Sequence, residues 1–226
     1  MIRLGIPLTS YSNARSWQNF VNFLYEDYSD VEAVNLYCDE NNNELPEDID
    51  IILFDGGSDV HPILYNEKVD KETYTNIPRD ILEVKIYRFY KNRDTLFAGI
   101  CRGNQFLNIM RGGTLIQDLY KINQGHTHRH RVDIESLSTI IPYINCKNMF
   151  VNSLHHQAIN ELGVGLKIVM KHSTYNTIEG IESIDGKIRA IQSHPEFGHR
   201  FYEKRLDVMK WLLRIPSERE KENVLL

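Results

Sequence analysis

The amino-acid sequence predicts an α/β domain in which a mostly parallel central sheet is flanked by helices and extended by a small antiparallel addition. One observation is a buried-strand pattern at residues 96–100, which passes through a tight turn into a helical pattern. Another is that Gly112-Gly113 stops this helical pattern, after which the apolar runs become short and separated by turns. A chain of 226 residues is long enough to bury one substantial core. We therefore expect a single domain over residues 1–214 and a charged tail over residues 215–226.

The predicted elements follow one another along the whole chain. Short apolar runs predict strands at residues 2–6, 32–36, 50–54, 96–100, 167–170, 177–184 and 188–192. Helical spacing predicts a helix at residues 17–24, an amphipathic helix marked by Ile81, Leu82, Ile86, Phe89 and Tyr90, a helix after residue 101, and a last helix at about residues 201–213. Residues 62–77 are irregular and include Tyr65-Asn66-Glu67, so we expect a flap over a site there. Asp185-Gly186 indicates a hairpin turn.

Cys101 lies at the junction between the strand at residues 96–100 and the helix that follows. A strand, a tight turn with a nucleophilic side chain, and a helix form the layout of a nucleophile elbow, best known in its serine version. Gly99 and Gly103 flank the cysteine and allow neighbouring backbone to pass close to a strained turn. A cysteine at a helix start favours the thiolate form. The alternative is a buried structural cysteine beside a strand.

His194-Pro195-Glu196 follows the predicted strand at residues 188–192 and lies 93 residues after Cys101 (194 − 101). A histidine at a strand end can act as the general base for a cysteine, and a carboxylate two residues later can orient the imidazole. Pro195 fixes its own φ and stiffens the link between them. Together with the elbow, this segment predicts a Cys101–His194–Glu196 catalytic triad.

These segments resemble the signatures of a known family of enzymes. Residues 99–105 (GICRGNQ) and 194–196 (HPE) are similar to the two signatures of class I glutamine amidotransferases. The resemblance to the γ-glutamyl-γ-aminobutyrate hydrolase branch, the C26 peptidase-like hydrolases, is carried by the segments FDGGSDVHP at 54–62, GGTLIQDL at 112–119 and VNSLHHQ at 151–157. It extends from about residue 2 to residue 212. It implies a flavodoxin-like class I glutamine amidotransferase fold.

The resemblance also implies roles for residues around the cysteine. The backbone N–H groups of Gly57 and Arg102 would form an oxyanion hole, a feature worth about 10²–10³ in rate per donor. Gly56 would let the backbone approach the substrate, and Gln105 would contact the γ-glutamyl group. A histidine of the His155-His156 pair would line the glutamyl pocket, and we favour His156.

The chemistry that follows from the resemblance is hydrolysis of a γ-glutamyl amide through a γ-glutamyl thioester on Cys101. No cofactor and no metal are expected in this reaction. An alternative is a glutaminase subunit that delivers ammonia to a separate synthase, which would use the same residues. A second alternative is a binding module that has kept the fold, against which the intact triad residues argue.

The segment GHTHRHR at residues 125–131 forms a basic cluster in a chain of formal net charge −5. Its three alternate histidines raise the question of a metal site, but no nearby carboxylate or thiolate completes a ligand set. Arg129 and Arg131 carry forked donors that suit phosphate or carboxylate. The segment is therefore either a site for an anionic leaving group, such as a phosphorylated amine, or a solvated loop.

Composition and charge bound the remaining properties. The negative net charge argues against general nucleic-acid binding, which needs a basic face. Three widely spaced cysteines, without a CxxC pair, indicate a reducing compartment, so we expect a cytoplasmic protein. No apolar run has the length of a membrane span. The expected partner is a small γ-glutamyl substrate, and a homodimer is left open.

Overall fold

The fold is organised around one mixed β-sheet. A computed structural model describes residues 2–7, 31–36, 44–125, 128–197 and 202–216. Within these ranges the strands are β1 (Ile2–Pro7), β2 (Val31–Leu36), β3 (Ile51–Phe54), β4 (Leu96–Ile100), β5 (Leu115–Ile116), β6 (His130–Ile134), β7 (Asn148–Val151), β8 (Ala158–Ile159), β9 (Leu166–His172), β10 (Ile178–Ser183) and β11 (Ile188–Ile191). The helices are α1 (Ile77–Tyr90), α2 (Arg102–Met110), α3 (Ile141–Ile144) and α4 (Arg205–Leu212), with 3₁₀ turns at Pro62–Tyr65 and Leu119–Ile122.

The sheet has a parallel part and an antiparallel part. Its strand order is β2-β1-β3-β4-β11-β10-β9-β6-β7, and β8 joins it through β10 and β5. The neighbours from β2 to β11 run parallel, whereas β10, β9, β6 and β7 pair antiparallel. This confirms the predicted sheet, mostly parallel at its centre with an antiparallel addition.

The core lies on both faces of the sheet because successive side chains of a strand point to opposite faces. In β3, Ile51 and Leu53 join one apolar cluster, while Ile52 and Phe54 join the other. Helices α1 and α2 cover the second cluster with residues such as Ile86 and Phe106, and α4 covers the first with Trp211 and its neighbours. The four residues of β3 are therefore all buried.

Helix α1 was predicted from an apolar stripe, but its faces differ from that pattern. The helix begins after Asn76, whose side chain accepts a hydrogen bond from Arg79 N at 3.1 Å. Leu82 and Ile86 are buried as expected, whereas Ile81 is 65% exposed. Arg79 and other charged side chains take the inward face instead, and their partners are described below.

Several predicted features differ at their ends or lie elsewhere in the chain. The last helix is shorter than expected, because α4 covers Arg205–Leu212 rather than residues 201–213. The predicted helix at residues 17–24, Cys38, His126 and the tail from residue 217 lie outside the described residues. Across the ranges that the structure describes, none of the helices combines the length and the apolar character needed to span a bilayer.

Candidate active site

Cys101 occupies a strained turn between β4 and α2. Its φ is 51° and its ψ is −104°, a conformation that costs a non-glycine residue about 1–3 kcal/mol. Close packing holds this turn, since a Cβ at Gly103 would lie 1.9 Å from the carbonyl oxygen of Phe54. The backbone N–H of Cys101 also donates to Ile191 O at 2.8 Å. The strand, turn and helix therefore have the geometry of the predicted elbow.

The sheet register brings the other predicted triad residues to the same edge. Strand β11 lies parallel to β4 with Ile191 opposite Ile100, so the residues that follow the two strands lie side by side. His194 is one of them, and its Nδ1 lies 2.6 Å from Oε1 of Glu196. The backbone of His194 is held by Asn152, whose side-chain oxygen accepts from His194 N and whose amide donates to His194 O, both at 2.8 Å.

The surroundings of His194 favour its charged form. Burial alone would lower the pKa of the imidazole. The negative charges of Glu196 and Cys101, and hydrogen bonds to both side chains, outweigh burial and raise the pKa well above its ordinary value. A histidine charged beside a cysteine is the arrangement that activates a thiolate nucleophile.

The loop after β3 lies against His194 and forms one wall of the candidate site. Gly57 has a φ of +148°, which side-chain-bearing residues rarely adopt. A Cβ at Gly56 would lie 2.6 Å from Cε1 of His194, so only glycine leaves room for the imidazole there. Arg102, the other predicted oxyanion residue, begins α2, and its side chain is buried among carboxylates.

A chain of amide side chains runs behind the cysteine. Gln192 Nε2 lies 3.5 Å from Cys101 Sγ, and Gln105 Nε2 donates to Gln192 Oε1 at 3.3 Å and to Gln157 O at 3.0 Å. Gln105, predicted to contact the γ-glutamyl group, therefore has its amide nitrogen bonded within the protein. Gln192 and Asn152 were missed by the sequence analysis, because amides near a strand end carry no spacing signal.

The same chain reaches the segment predicted as a flap. Gln157 Nε2 donates to Gln117 O at 3.1 Å and to Thr73 Oγ1 at 3.3 Å. Gln117 Oε1 in turn accepts from the backbone N–H of Asp70 at 2.9 Å. Lys121 adds an ion pair to the Asp70 carboxylate. The segment around residues 66–75 is therefore tied to the residues behind Cys101.

The two predicted pocket histidines have different surroundings. His156 is half-buried, and its Nε2 lies 3.2 Å from Oδ2 of Asp59, just after the Gly56-Gly57 loop. A hydrogen bond and the charge of Asp59 raise the pKa of His156 against the effect of burial. His155 is buried; its Nδ1 contacts Gln157 O at 2.9 Å and its Nε2 lies 3.8 Å from Glu179.

Arg131 lies on β6 in the antiparallel part of the sheet, and Arg129 lies just before that strand. The guanidinium of Arg129 lies 3.3 Å from a Glu203 carboxylate oxygen and 3.9 Å above the ring of Phe150. Arg131 is exposed on β6. Neither is among the contacts of Cys101 described above. Within the described part of the chain, no group of three or more His, Cys, Asp or Glu side chains is arranged to hold a metal ion.

Comparisons with known proteins agree with this geometry. Residues 33–196 match the Peptidase C26 family. The glutamine amidotransferase-like protein YvdE of Lactococcus lactis is 31% identical over 214 residues, which cover 85% of this chain and 89% of that protein. Gamma-glutamyl-gamma-aminobutyrate hydrolase PuuD of Escherichia coli is 29% identical over 176 residues, covering 70% of this chain and 68% of that protein.

A solved structure gives the same result for the fold. The crystal structure of a glutamine amidotransferase from Thermotoga maritima has a TM-score of 0.64 to this chain at 18% identity, covering 99% of this chain and 93% of that one. The predicted class I glutamine amidotransferase fold is thereby confirmed.

Proposed function

Because this chain belongs to the Peptidase C26 family, a group of hydrolase and glutamine amidotransferase-like enzymes, we propose that it hydrolyses γ-glutamyl amide bonds, releasing glutamate and an amine. The observation that carries this proposal is the placement of the Cys101 elbow after β4, next to the parallel strand β11, which leads to His194 with its Nδ1 2.6 Å from Glu196 Oε1. A cysteine activated in this way is suited to acyl transfer.

In the first half of the reaction, the Cys101 thiolate attacks the γ-carbonyl carbon and forms a C–S bond. The carbonyl oxygen takes the negative charge and accepts hydrogen bonds from the N–H groups of Gly57 and Arg102. When this intermediate collapses, the C–N bond breaks and the His194 imidazolium gives its proton to the departing nitrogen. The products of this half are a free amine and a γ-glutamyl thioester.

In the second half, neutral His194 takes a proton from water as the water oxygen attacks the thioester carbonyl. Collapse of the second intermediate breaks the C–S bond, so that glutamate leaves and the thiolate and imidazolium are restored. Glu196 orients His194 and stabilises its charged form throughout. General acid–base assistance of this kind contributes about 10²–10⁴ in rate.

The γ-glutamyl half of the substrate is supported by the likeness to a γ-glutamyl-γ-aminobutyrate hydrolase. The site residues proposed for it are Gly56, Gln105, His155 and His156. We propose that the leaving amine is anionic. A phosphorylated amine, as in a nucleotide-linked phosphoramidate, is one example of such a leaving group. The support for this part is the pair Arg129 and Arg131, whose guanidinium groups suit such an anion.

The deciding experiment is turnover of a panel of γ-glutamyl conjugates by the whole chain, with glutamate and the released amine both measured. The panel includes a neutral anilide, γ-glutamyl-γ-aminobutyrate, a phosphoramidate and free glutamine. We expect release from at least one conjugate by the wild type and none by Cys101→Ser. If only free glutamine is cleaved, and ammonia release rises with cell extract, the chain is a glutaminase subunit instead.

The leaving group is tested on the two arginines. We expect Arg129→Ala and Arg131→Ala each to raise KM for an anionic conjugate about tenfold, since about 1.4 kcal/mol of lost contact is tenfold in affinity. The neutral anilide should be cleaved as before. Arg88→Ala, at an exposed position on α1, is the matched control. If KM rises equally for the anionic and the neutral conjugate, the arginines support the fold and do not bind the leaving group.

A further inference from the structure

The inward face of α1 carries charged side chains directly behind the loop that holds Gly56 and Gly57. Arg79, Asp80 and Glu83 are respectively 5%, 4% and 0% exposed. Residues three and four apart on a helix lie on the same face, so these three point together toward the sheet. Charged side chains are rarely buried to this extent unless they are paired.

Arg79 fixes the path of the loop. Its guanidinium donates to Gly56 O at 2.8 Å, to Asp55 O at 3.0 Å and to the Asp55 carboxylate at 2.5 Å. Gly56 O and the N–H of Gly57 belong to one planar trans peptide unit, in which they point in opposite directions. Holding the oxygen toward Arg79 therefore turns the N–H of Gly57 away from the helix. A Cβ at Gly57 would lie 2.2 Å from Arg79 Nη1, so the contact is close.

Arg102, the second predicted oxyanion residue, is held by the same helix. Its guanidinium bonds to one oxygen of Glu83 and, at 2.5 Å, to Oδ1 of Asp80. The other oxygen of Glu83 accepts from Arg79 Nε at 2.7 Å. Glu83 thus bridges the two arginines, one of which fixes the Gly57 peptide while the other belongs to the residue next to Cys101.

The negative charge of Glu83 is compensated by the positive charges of Arg79 and Arg102. Burial would raise the pKa of Glu83, but Arg102 and Arg79 outweigh burial and lower it, so that Glu83 stays ionised. Arginine suits this position because its planar fork binds several acceptors in a fixed geometry, which lysine does not. Neutralising Glu83 would leave two guanidinium groups without their common partner.

We propose that Glu83, together with Arg79 and Asp80, is a positioning residue that aligns the N–H groups of Gly57 and Arg102 as one oxyanion hole. This inference rests on the proposed amide hydrolysis, in which those two donors stabilise the tetrahedral intermediate. None of the three side chains touches the substrate; they act through the backbone of the loop and of the elbow.

The test compares Glu83→Gln and Arg79→Lys with a matched control, Glu182→Gln. Glu182 is equally buried and paired, with Lys167 Nζ at 2.9 Å and Thr139 N at 3.0 Å, but it lies on β10 away from the loop. For a conjugate that the wild type cleaves, we expect kcat to fall about 10- to 100-fold in both test variants, because small misplacements at a reacting centre cost up to about 10² in rate. KM should change less than threefold, and Glu182→Gln should keep the wild-type kcat.

Alkylation of Cys101 by iodoacetamide separates positioning from damage to the nucleophile. This displacement needs the thiolate but creates no oxyanion, so its rate should stay within about twofold of wild type in Glu83→Gln and Arg79→Lys. If the kcat of both test variants equals that of Glu182→Gln, the proposal is overturned. It is also overturned if alkylation slows as much as kcat falls, because the group would then only support the elbow.

Two further outcomes have defined meanings. If Glu83→Gln does not fold, Asp80→Asn takes its place, since it loosens Arg102 while leaving the Glu83 bridge intact. Normal kcat in both Asp80→Asn and Arg79→Lys then overturns the proposal. If the wild type cleaves no γ-glutamyl conjugate, the proposed function is wrong, and the proposal about Glu83 is overturned with it whatever the alkylation rates are.

Discussion

The two walls of the candidate site are built from different chemistry. On the loop side, Arg79 of α1 donates a hydrogen bond to Gly56 O, and Asp80 and Glu83 hold Arg102 through buried ion pairs. On the base side, His194 is held by the neutral amide of Asn152 and by its contact with Glu196. Both walls meet at Cys101: the loop wall carries the proposed oxyanion donors, and the base wall carries His194, the proposed proton donor.

This difference between charged and neutral supports indicates which substitutions should affect the site most. Removing one member of a buried ion pair leaves an uncompensated charge and costs about 3–5 kcal/mol. Removing a neutral partner leaves an unsatisfied group and costs about 1–3 kcal/mol. The loop wall should therefore resist small perturbations but fail abruptly when one charge is lost. On the base wall the contact with Glu196 carries charge and should also be sensitive, whereas the neutral support from Asn152 should matter less.

The largest effect is expected where both walls meet. Cys101→Ser should reduce turnover to background, because the serine hydroxyl does not provide the thiolate. In the wild type, iodoacetamide should label Cys101 before Cys146, since burial raises the pKa of the Cys146 thiol. Mass spectrometry of the labelled chain measures the order. Equal labelling of both would remove the basis for an activated elbow.

The next effect concerns the carboxylate of the base wall. Glu196→Gln should lower kcat about 10³-fold with little change in KM, because the carboxylate stabilises the imidazolium. The same change should lower the pKa of His194, which Glu196 holds above its ordinary value. The charged imidazole would then be lost at a lower pH, so the alkaline limb of kcat/KM should move to lower pH. An unmoved limb with normal kcat would make Glu196 structural only.

The loop wall is tested by adding one methyl group. Gly57→Ala should lower kcat/KM about 10²-fold, because the φ of +148° disfavours alanine and its Cβ would meet Arg79. Gly186→Ala is the matched control, since that glycine also has a positive φ, +72°, but open space around it. Steady-state kinetics of both variants make the comparison. Equal losses would mean that general strain, and not the loop, lowers activity.

The smallest effect is expected from the neutral support of the base wall. Asn152→Ala removes two hydrogen bonds to the His194 backbone, each worth about 1 kcal/mol, so kcat should fall by up to about 30-fold, since about 1.4 kcal/mol is tenfold. Asn160→Ala, whose exposed side chain contacts Thr114, should have no effect. A loss in Asn152→Ala greater than that in Gly57→Ala would reverse the ranking of the two walls.

The parts of the site that sequence predicts are those encoded by adjacent residues. Cys101 follows a buried strand and begins a helix, and His194 and Glu196 are two residues apart, so local pattern alone brings them to notice. Because β4 and β11 are parallel neighbours in the sheet, the residues that follow the two strands lie close together although they are far apart in the sequence. The alternation of strand and helix patterns predicted the α/β class, whereas the resemblance implied the class I glutamine amidotransferase fold, and strands β5 to β8 were not predicted.

Long-range partners could not be predicted in this way. Glu83 and Arg79 sit one helical turn apart, a spacing that usually indicates a solvated ion pair. Nothing local shows that Glu83 is buried while Ile81 is exposed, because that depends on where α1 meets the loop after β3. Asn152 likewise acquires its role only when β7 ends beside His194.

The depth of the ion pairs on the loop wall has a consequence for ionic strength. At about 1 M salt the screening length is about 3 Å, but mobile ions do not enter the space between Arg79, Glu83 and Arg102. The pair between Lys121 and Asp70, which helps to hold the segment predicted as a flap, is partly exposed and open to screening. If that segment is the predicted flap, added salt should loosen it while the N–H groups of Gly57 and Arg102, the proposed oxyanion donors, keep their positions, so that substrate affinity weakens before the chemical step does.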